Sequence, residues 1–354
     1  MKYLVRLKPL DSFFFSGQDT FKAKDGRGKE KNNHYVVSER YPQQTTLLGV
    51  IRKELLIKKE WYRENREDYA KDVENKILDS DKLYELVGQG SFKANEEYKG
   101  KGFGIIDNIS PIFLNKNNEF YIETPLDNEL IFKDENKGRT YLGNTIKNKI
   151  FLLDKYDPKK GLNRKIRSCN PYQPKNNYSL DEIFKDDLRV GIDIHNEEAF
   201  FKQKFYRLEK NWEFSFLLDL KEDIFKIEKN KKYETTIYMG GESKPFRMII
   251  EKSTKQIYSS YDSTKERIVL IGDAIITETN YKEIEKNSIF ILGELKYFKN
   301  FRVVKGKHQK SDSILILKGG SVIFVEEKKY EEVINLIKNK NNEVIGYNHI
   351  LGGE

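Results

Sequence analysis

Three consecutive phenylalanines near the start of the chain limit how it can fold. Phe13, Phe14 and Phe15 stand in the stretch LKPLDSFFFSGQDTF, residues 7–21. Successive side chains of an extended strand point to opposite faces, so the triplet places aromatic surface on both sides of the backbone. The run ends at residues 16–19, Ser-Gly-Gln-Asp, which are typical of a surface turn. The sequence therefore predicts that a second layer, either protein or a ligand, covers the far side of this segment.

Length and composition indicate a folded protein rather than a disordered one. The chain has 354 residues, 38% of them hydrophobic, which is enough to bury the cores of two domains of ordinary size. The single cysteine, Cys169, excludes an internal disulfide and a cysteine-based zinc site. The start, MKYLVRLKPL, is too charged for a signal peptide, and no window holds about 18 uninterrupted apolar residues. We therefore expect a cytoplasmic protein that does not enter a membrane.

The net charge of +8 is concentrated in three windows. Residues 158–178 carry six lysines or arginines and no acid, residues 299–310 carry five and no acid, and residues 22–33 carry five against two acids. Clustered cations favour a polyanion because neutralising phosphates releases counterions, although a solvated loop is the alternative for each window. Tyr172 and Tyr178 lie among these bases and offer stacking surfaces for unpaired nucleotides.

Strand-like and helical patterns are mixed along the whole chain. Helices are predicted to begin near residue 45 and to lie over residues 327–338, and the charged residues 60–98 are helical in character. A long strand is predicted over residues 1–15, with its ladder disturbed at Pro9. Further strands are predicted over residues 104–109, 119–126, 190–194, 200–207, 212–220, 246–251, 267–276 and 313–325. The proline- and asparagine-rich residues 157–178 indicate a long connection. This mixture favours an α+β protein of two similar sheet-and-helix units.

The stretch YPQQTTLLGVIRKEL places a helix start beside polar side chains. Thr45 or Thr46 can cap the helix, and Gln43 and Gln44 add hydrogen-bond donors at the same corner. Gly49 costs roughly 1 kcal/mol of helix propensity relative to alanine, which indicates that a bare backbone is needed there. The need is either close packing on a sheet or the approach of a phosphate to the helix N-terminus.

Several spaced motifs together resemble one family. LKPLDSFFFSGQ, YPQQTTLLGVIRKEL, GIDIHNEEAFFKQKFYRLEKNWEFSFLLDL, MGGESKPF, KGGSVIFVE and the terminal GYNHILGG follow one another in this order. In order and spacing they resemble the RAMP-superfamily subunit three of the Cmr complex, the type III-B CRISPR effector. The resemblance extends over both halves and most of the chain, although each motif alone is a short glycine or apolar pattern.

The resemblance implies a fold, a role and a set of partners. It implies an α+β fold of two ferredoxin-like (RRM-like) units with long basic loop insertions, which we place at residues 1–157 and 186–354 with a basic connecting loop at 158–185. The implied role is that of a non-catalytic subunit that binds the repeat-derived 5′ handle of the crRNA, in antiviral defence. It would join the large polymerase/cyclase-like subunit to the backbone RAMP subunit, meet target RNA indirectly, and need no metal or cofactor.

On this interpretation, Phe13 and Phe15, or Phe14 alone, pack beneath the sheet while residues 16–19 and the following basic loop face the RNA. The basic loops would hold phosphates, the tyrosines would stack bases, and the corner at residues 43–49 would lie beside the handle. The residues expected to bind RNA are Ser16, Gly17, Gln18, Lys22, Arg27, Lys29, Gln43, Gln44, Thr45, Thr46, Gly49, Arg52, Arg164, Lys165, Arg167, Tyr172, Gly240, Gly241, Lys244, Arg247, Arg302, Lys305, Lys307 and His308.

Two other functions remain open from the sequence. A metal-free endoribonuclease that processes crRNA would need a general acid or base, and His34 beside Tyr35 is the best candidate for it. A protein-only adaptor could use the basic loops to bind an acidic partner. YMGGESKPF has only Glu242 as a carboxylate, so it does not support a two-metal site. Its glycines predict either a tight turn or a backbone-donor loop near phosphate, with Lys244 and Arg247 beside it.

Overall fold

The structure is a computed structural model that describes residues 1–16, 22–24, 30–32, 35–64, 66–75, 77, 79–90, 92–94, 102–134, 145–146, 149–153, 164–169, 177–192, 200–255, 257, 265–298, 301–304, 307–310 and 313–351. The strands are β1 (Lys2–Pro9), β2 (Lys22–Lys24), β3 (Glu30–Asn32), β4 (Tyr35–Val37), β5 (Ile106–Ile109), β6 (Phe113–Lys116), β7 (Glu119–Glu123), β8 (Leu130–Asp134), β9 (Thr145–Ile146), β10 (Lys149–Leu153), β11 (Lys165–Ser168), β12 (Asn177–Ser179), β13 (Phe184–Ile192), β14 (Phe200–Leu208), β15 (Trp212–Leu220), β16 (Tyr233–Met239), β17 (Lys244–Lys252), β18 (Arg267–Val269), β19 (Ala274–Ile276), β20 (Ser288–Leu292), β21 (Leu295–Phe298), β22 (Phe301–Val304), β23 (Lys307–Lys310), β24 (Ile314–Leu317) and β25 (Val322–Val325). The helices are α1 (Gln44–Lys58), α2 (Arg66–Glu74), α3 (Ser80–Val87), α4 (Leu180–Ile183), α5 (Glu278–Asn287), α6 (Tyr330–Ile337) and α7 (Lys340–Val344), with 3₁₀ turns at Leu126–Glu129 and Glu327–Lys329.

β1 lies inside the largest sheet of the described residues, whose order is β12-β11-β7-β6-β15-β1-β17-β16, with β5 also paired to β15. β1 runs antiparallel to β15 on one side and to β17 on the other. Its residues Tyr3, Val5 and Leu7 alternate onto one face and are fully buried there with Leu47 and Ile51 of α1. The period-2 pattern of β1 therefore faces the apolar stripe of α1 across the main core.

The first ferredoxin-like unit is built around β1. Its elements in chain order are β1, α1, the pair β5 and β6, β15 and β17. In the sheet the strand order is β17, β1, β15, then β5 and β6. This is the antiparallel βαββαβ arrangement except at the second helix. Residues 221–232 occupy that place without a helix, and they contribute Ile224, Phe225 and Ile227 to the core.

The second ferredoxin-like unit is built from the end of the chain. Its elements in chain order are β18, β19, α5, β20, β21, β24, β25 and α6. An antiparallel bridge between Leu270 and Ile350 joins the end of the described chain to this unit. β24 and β25 lie between the other two strand pairs, all antiparallel. Buried residues of α5 and α6, among them Ile284, Val333 and Ile337, cover this sheet.

The predicted α+β fold class is confirmed, and the pairing fixes where the two units divide. β15 and β17 come from beyond residue 186, yet both pair with β1, so the main sheet contains strands from both predicted units. The division into 1–157, 158–185 and 186–354 therefore does not follow the sheets, which separate between Lys252 and Arg267. The predicted boundary and the observed one differ because β1 pairs on both sides with strands that are distant in the sequence.

Protein covers both faces of the aromatic triplet. Phe13 and Phe15 are buried in the main core, with their ring centroids 4.9 Å apart. Phe14 points the other way and is buried against Val36 and Phe205, on the three-stranded sheet β13-β14-β4. Of the two predicted coverings, protein is therefore the correct one. No helix in the described part of the chain is long and apolar enough to cross a membrane.

Candidate nucleic-acid interface

The predicted corner at the start of α1 is held by the protein's own side chains. Gln44 is buried, and in the orientation that satisfies both ends its amide donates to the Ile345 carbonyl at 3.0 Å and accepts from the Ile112 amide at 2.9 Å. The Tyr347 hydroxyl donates to Gln43 Oε1 at 3.1 Å and lies against the backbone of Thr45. Gln44 is therefore a structural residue, and Tyr347 occupies the place proposed for a phosphate. Thr46 lies in the same first turn and is half-buried.

Gly49 and Arg52, further along α1, differ from the prediction. Gly49 is exposed, and a Cβ at this position would meet no atom within 4 Å. Within the part of the chain that the structure describes, neither close packing nor the tight approach of another backbone explains that glycine. The Arg52 guanidinium donates to the carbonyls of Gly90 and Gly102, so it joins α1 to the segment after α3.

Gly49→Ala is expected to raise the free energy of unfolding by about 1 kcal/mol, because alanine is the better helix former and the space is open. Denaturant unfolding would measure this, with RNA affinity followed in parallel. If the variant unfolds more easily, or if it keeps its stability and loses RNA affinity, the glycine has a role that this packing does not show.

The Gly240-Gly241 turn folds onto the aromatic triplet. Gly240 has φ +85°, and a Cβ there would lie 2.4 Å from the Phe14 carbonyl oxygen. The Gly241 amide donates to the same carbonyl at 3.0 Å. Of the two predictions for these glycines, the tight turn is therefore the one that the structure supports. Beside it, Lys244 lies 5.5 Å from the centre of the Phe205 ring, and Arg247 forms an exposed bidentate ion pair with Glu234.

The predicted residues around β11 fall into two groups. Arg164 is largely buried and forms an ion pair with Glu123. Lys165 and Arg167 lie half-buried on β11 itself. Tyr178, expected to stack bases, instead packs edge-on against Trp212 with ring centroids 5.1 Å apart, beneath the Lys116 ammonium. Its ring is therefore engaged inside the protein.

The remaining predicted residues are Ser16, four residues that are described by their strands, and seven that lie outside the described residues. Ser16 is half-buried at the end of the aromatic triplet. Lys22 is on β2, Arg302 on β22, and Lys307 and His308 on β23, where the strands alone are described. The predicted residues that lie outside the described residues are Gly17, Gln18, Arg27, Lys29, His34, Tyr172 and Lys305.

The structure brings other charged residues together in a cleft between the two ferredoxin-like units. Its larger cavity, of about 250 Å³, adjoins a smaller one of about 50 Å³, and both share Tyr41, Glu123 and Lys318. We call the two together the inter-unit cleft. The larger part is lined by Val37, Ser38, Glu39, Arg40, Tyr41, Glu123, Arg164, Leu180, Tyr206, Glu294, Lys296 and Lys318.

Ion pairs run through the inter-unit cleft from one unit to the other. Arg164, just before β11, contacts Glu123 at 2.9 Å and Glu294 at 3.1 Å. Lys296 of β21 pairs with Glu39 in the segment that leads to α1. The pairs Arg164–Glu294 and Lys296–Glu39 bridge the units, whereas Arg164–Glu123 lies within one of them. Glu294 is 53% exposed, but the other side chains of these pairs are mostly shielded from water, so breaking Arg164–Glu123 or Lys296–Glu39 costs more than breaking an ordinary surface pair.

The floor of the inter-unit cleft is a second charged group. Lys318 pairs with Asp273 at 2.6 Å, and the other carboxylate oxygen of Asp273 accepts the Gly319 amide at 3.0 Å. Burial works against the charge of Asp273, yet Lys318 and these hydrogen bonds lower its pKa. Asp273 is therefore ionised and fixes the glycine turn at residues 318–321 against the cleft.

Burial shifts two further groups of the inter-unit cleft. Burial raises the pKa of Glu123, and this effect outweighs the opposing effects of Arg164 and Lys318. Burial and then Glu123 raise the pKa of Tyr41 well above its usual range, so that hydroxyl keeps its proton. The Tyr41 ring itself packs edge-on against Phe184 and Phe214.

This arrangement suits the edges of unpaired bases better than a bare phosphate. Each cation of the cleft already has a carboxylate beside it, so a phosphate would bring a further negative charge to a nearly neutral site. A base instead presents both donors and acceptors, which carboxylates and the guanidinium or ammonium groups can each meet. Arg40, whose guanidinium lies 5.7 Å from the centre of the Tyr206 ring, supplies a planar surface at the rim.

The sequence reasoning missed most of the inter-unit cleft. Glu39, Arg40, Glu123, Glu294 and Lys296 come from three separate segments and belong to no motif, so only the fold brings those segments together. The one usable signal was Gly319 and Gly320 after a lysine. In the part of the chain that the structure describes, no group of three or more His, Cys, Asp or Glu residues is placed to hold a metal ion.

Comparison with known proteins gives the family. No curated protein sequence matches the chain. Two cryo-EM structures of the type III-B Cmr-beta complex contain a chain with a similar fold, each at 14% identity. One, bound to cognate target RNA and AMPPnP, gives a TM-score of 0.54 over 98% of this chain and 95% of that chain. The other, bound to cognate target RNA, gives 0.52 over 99% and 96%. The model of the CRISPR-associated protein (Cas_Cmr3) family matches residues 5–354, and the chain therefore belongs to that family.

Proposed function

We propose that this chain is a non-catalytic, RNA-binding subunit of a type III-B CRISPR interference complex, and that it binds the 5′ handle of the crRNA. The inter-unit cleft is the observation that carries the proposal. It lies between two ferredoxin-like units, presents paired donors and acceptors, and belongs to a chain of the Cas_Cmr3 family. Chains of similar fold occur in complexes bound to cognate target RNA, which agrees with a role beside RNA.

A single-stranded handle is the ligand that best fits this cleft. Unpaired RNA can turn its bases out of the strand, so that one base enters a cavity of about 250 Å³ while phosphates remain at the rim. Basic windows at residues 22–33, 158–178 and 299–310 would then hold the backbone on either side. The edges of the base would form hydrogen bonds with Glu39, Arg164 and Glu294, and the Arg40 guanidinium would stack on a base.

The same proposal assigns the partners. The chain would join the large polymerase/cyclase-like subunit to the backbone RAMP subunit, and it would meet target RNA only through the crRNA. It would act without a metal or cofactor of its own. The nuclease alternative depends on His34, which lies outside the described residues, and no described residue favours it.

The double variant Arg40→Gln/Lys296→Gln is expected to weaken binding of handle RNA about tenfold, because it removes the stacking surface of Arg40 and the ammonium that holds Glu39 in place. The salt dependence of binding should stay close to that of the parent protein, because the phosphates are bound by the basic windows. Purified protein would be titrated with labelled crRNA that carries or lacks the handle, across a salt series. Gel analysis of the same samples would show whether the RNA is cleaved.

Lys286→Gln is the control, because this exposed lysine lies on α5, outside the lining of the inter-unit cleft, and pairs with Glu283 of its own helix. Its affinity should equal that of the parent protein, and thermal unfolding would show that both variants are folded. Equal affinity for RNA with and without the handle would contradict the proposal, as would a cleft variant that binds like the control. Cleavage that His34→Ala abolishes would establish the nuclease instead.

A further inference from the structure

Two charged groups that line the inter-unit cleft lack the hydrogen bonds that the other groups have. The pairs already formed around the cleft are Glu39 with Lys296, Arg40 with Asp181, Glu123 with Arg164 Nη1, and Asp273 with Lys318. The Arg164 Nη2 atom is buried, and no described residue accepts a hydrogen bond from it. The Glu294 carboxylate lies 3.1 Å from Nη2 and is 53% exposed, but the two are not aligned for a hydrogen bond. A buried donor without an acceptor is unfavourable, so a ligand is expected to complete it.

The pairing of β21 holds Glu294 at the wall of the cleft. Its carbonyl oxygen accepts the Lys318 amide at 3.0 Å, which continues the ladder between β21 and β24 by one residue. Residues two apart on a strand share a face, and Glu294 and Lys296 both line the larger cavity. The backbone therefore fixes a half-exposed carboxylate beside the Arg164 guanidinium, where a ligand in the cavity can contact both groups.

A carboxylate beside a guanidinium N–H matches the Watson–Crick edge of guanine. A carboxylate only accepts hydrogen bonds, through two oxygens, and a guanidinium only donates them. Guanine presents two adjacent donors on this edge, N1–H and the 2-amino group, next to the O6 acceptor. Adenine, cytosine and uracil each present a single donor group there, so each leaves one carboxylate oxygen without a partner. Of the four bases, guanine is therefore the one that satisfies both Glu294 and Arg164 Nη2.

The charges around this pair favour a base over a phosphate at the same point. A phosphate oxygen at Arg164 Nη2 would lie beside the Glu294 carboxylate, and two negative charges so close together repel each other. A guanine base is neutral and meets both groups at once. The existing pairs do not need to break, because Glu123 contacts Arg164 through Nη1 at 2.9 Å and Lys296 is held by Glu39.

We propose that the inter-unit cleft binds a guanine base selectively, with Glu294 accepting from N1–H and the 2-amino group and Arg164 Nη2 donating to O6. Glu294 is then the residue that determines base specificity, and Glu123 positions Arg164 from the opposite side. The inference rests on the proposed function in one respect, that the guanosine belongs to the crRNA handle.

The test uses short uridine RNAs of one length that carry a single central guanosine, inosine, adenosine or cytidine, titrated into the purified full chain. The guanosine RNA is expected to bind about tenfold more tightly than each of the others, since a bidentate contact discriminates by about this factor or more. Inosine is the sharpest comparison because it keeps O6 and N1–H and lacks only the 2-amino group. It uses the parent protein alone, so the result does not depend on how a variant folds.

Glu294→Gln replaces one acceptor oxygen with a donor. It should weaken binding of the guanosine RNA about tenfold and bring the guanosine and inosine RNAs to nearly the same affinity. Glu326→Gln is the matched control, because the Glu326 side chain is 57% exposed and also pairs with a cation, Lys328, but lies outside the lining of the cleft. It should keep the guanosine preference of the parent protein, and thermal unfolding would show that both variants are folded.

Equal affinity of the parent protein for the guanosine and inosine RNAs would overturn the inference, as would a guanosine preference that survives in Glu294→Gln. Titration of crRNA with and without the handle separates this inference from the proposed function. A guanosine preference without a handle preference would leave the inference standing and reject the proposed function. A handle preference without any preference among the bases would do the reverse, and binding to none of these RNAs would reject both.

Discussion

Phe13→Ala is expected to lower the free energy of unfolding by about 3–5 kcal/mol, the usual cost of removing a large buried aromatic side chain. Phe13 is fully buried, and its ring meets those of Phe15, Phe184, Phe214 and Phe246 at centroid distances of 4.9–6.5 Å. Those rings are fixed by four separate parts of the chain, so they cannot move together to fill the cavity that the Phe13→Ala variant would contain. Denaturant unfolding of both proteins would measure the difference.

Phe14→Ala is the matched control because it removes the same side chain from the next residue. Phe14 belongs to a small cluster with Val36 and Phe205, outside the main core. We expect its loss to be clearly smaller than that of Phe13→Ala and to be accompanied by loosening of the sheet β13-β14-β4. Equal losses would contradict the assignment of the two residues to different cores.

Arg164→Met is expected to lower the free energy of unfolding by about 3–5 kcal/mol at neutral pH, because it leaves a buried carboxylate without its partner. The Arg164 and Glu123 side chains are each 18% exposed and lie 2.9 Å apart. The double variant Arg164→Met/Glu123→Gln should recover most of the loss, since no buried carboxylate is then left without its partner, and Glu294, the other partner of Arg164, is 53% exposed to water. Denaturant unfolding of the parent, both single variants and the double variant would give the coupling between the two residues.

The loss in Arg164→Met should also depend on pH. Burial raises the pKa of Glu123 in the folded protein, and Arg164 is the largest opposing influence, so the variant raises that pKa further. A group with a raised folded pKa binds its proton more tightly when folded, so its contribution to stability falls as pH rises through that pKa. The deficit of the variant should therefore be larger at about pH 8 than at about pH 5.5. A deficit that is constant over this range would mean that lost packing, rather than the charge of Glu123, causes it.

Short-range patterns predicted single elements well. Trp212–Leu220 is a strand over the residues that its alternation indicated. The strand predicted over residues 1–15 ends at Pro9, the residue expected to disturb it, and Phe13 and Phe15 form isolated bridges beyond it. Two predicted strands, residues 267–276 and 313–325, are each broken into two. At the first break Leu270 bridges to Ile350, and at the second Gly320 has φ +79°. The two breaks adjoin each other at the inter-unit cleft, which no local pattern could show.

The role of a glycine was predicted less well than single strands and helices. A glycine pattern records that a side chain is not tolerated, but it does not say which atom comes close. At Gly240 that atom is the carbonyl oxygen of Phe14, and at Gly346 the nearest atoms belong to Ser110 and Gln44, so both positions serve packing. At Gly49 no atom of the described residues lies within 4 Å of where a Cβ would be. The atom that approaches a glycine belongs to a residue that is distant in the sequence, so the glycine alone does not identify it.

The sequence by itself determined the α+β class, the aromatic triplet that needs two covering layers, and the resemblance that led to the family. These depend on periodicities of two and 3.6 residues and on motif order, which are local properties. The tertiary structure alone decided that β1 pairs with strands beyond residue 212 and that Glu39, Glu123, Arg164, Glu294 and Lys296 share one cleft. The physical reason is that pairing register and ion pairs join residues that are as many as 257 positions apart along the chain, where no sequence period reaches.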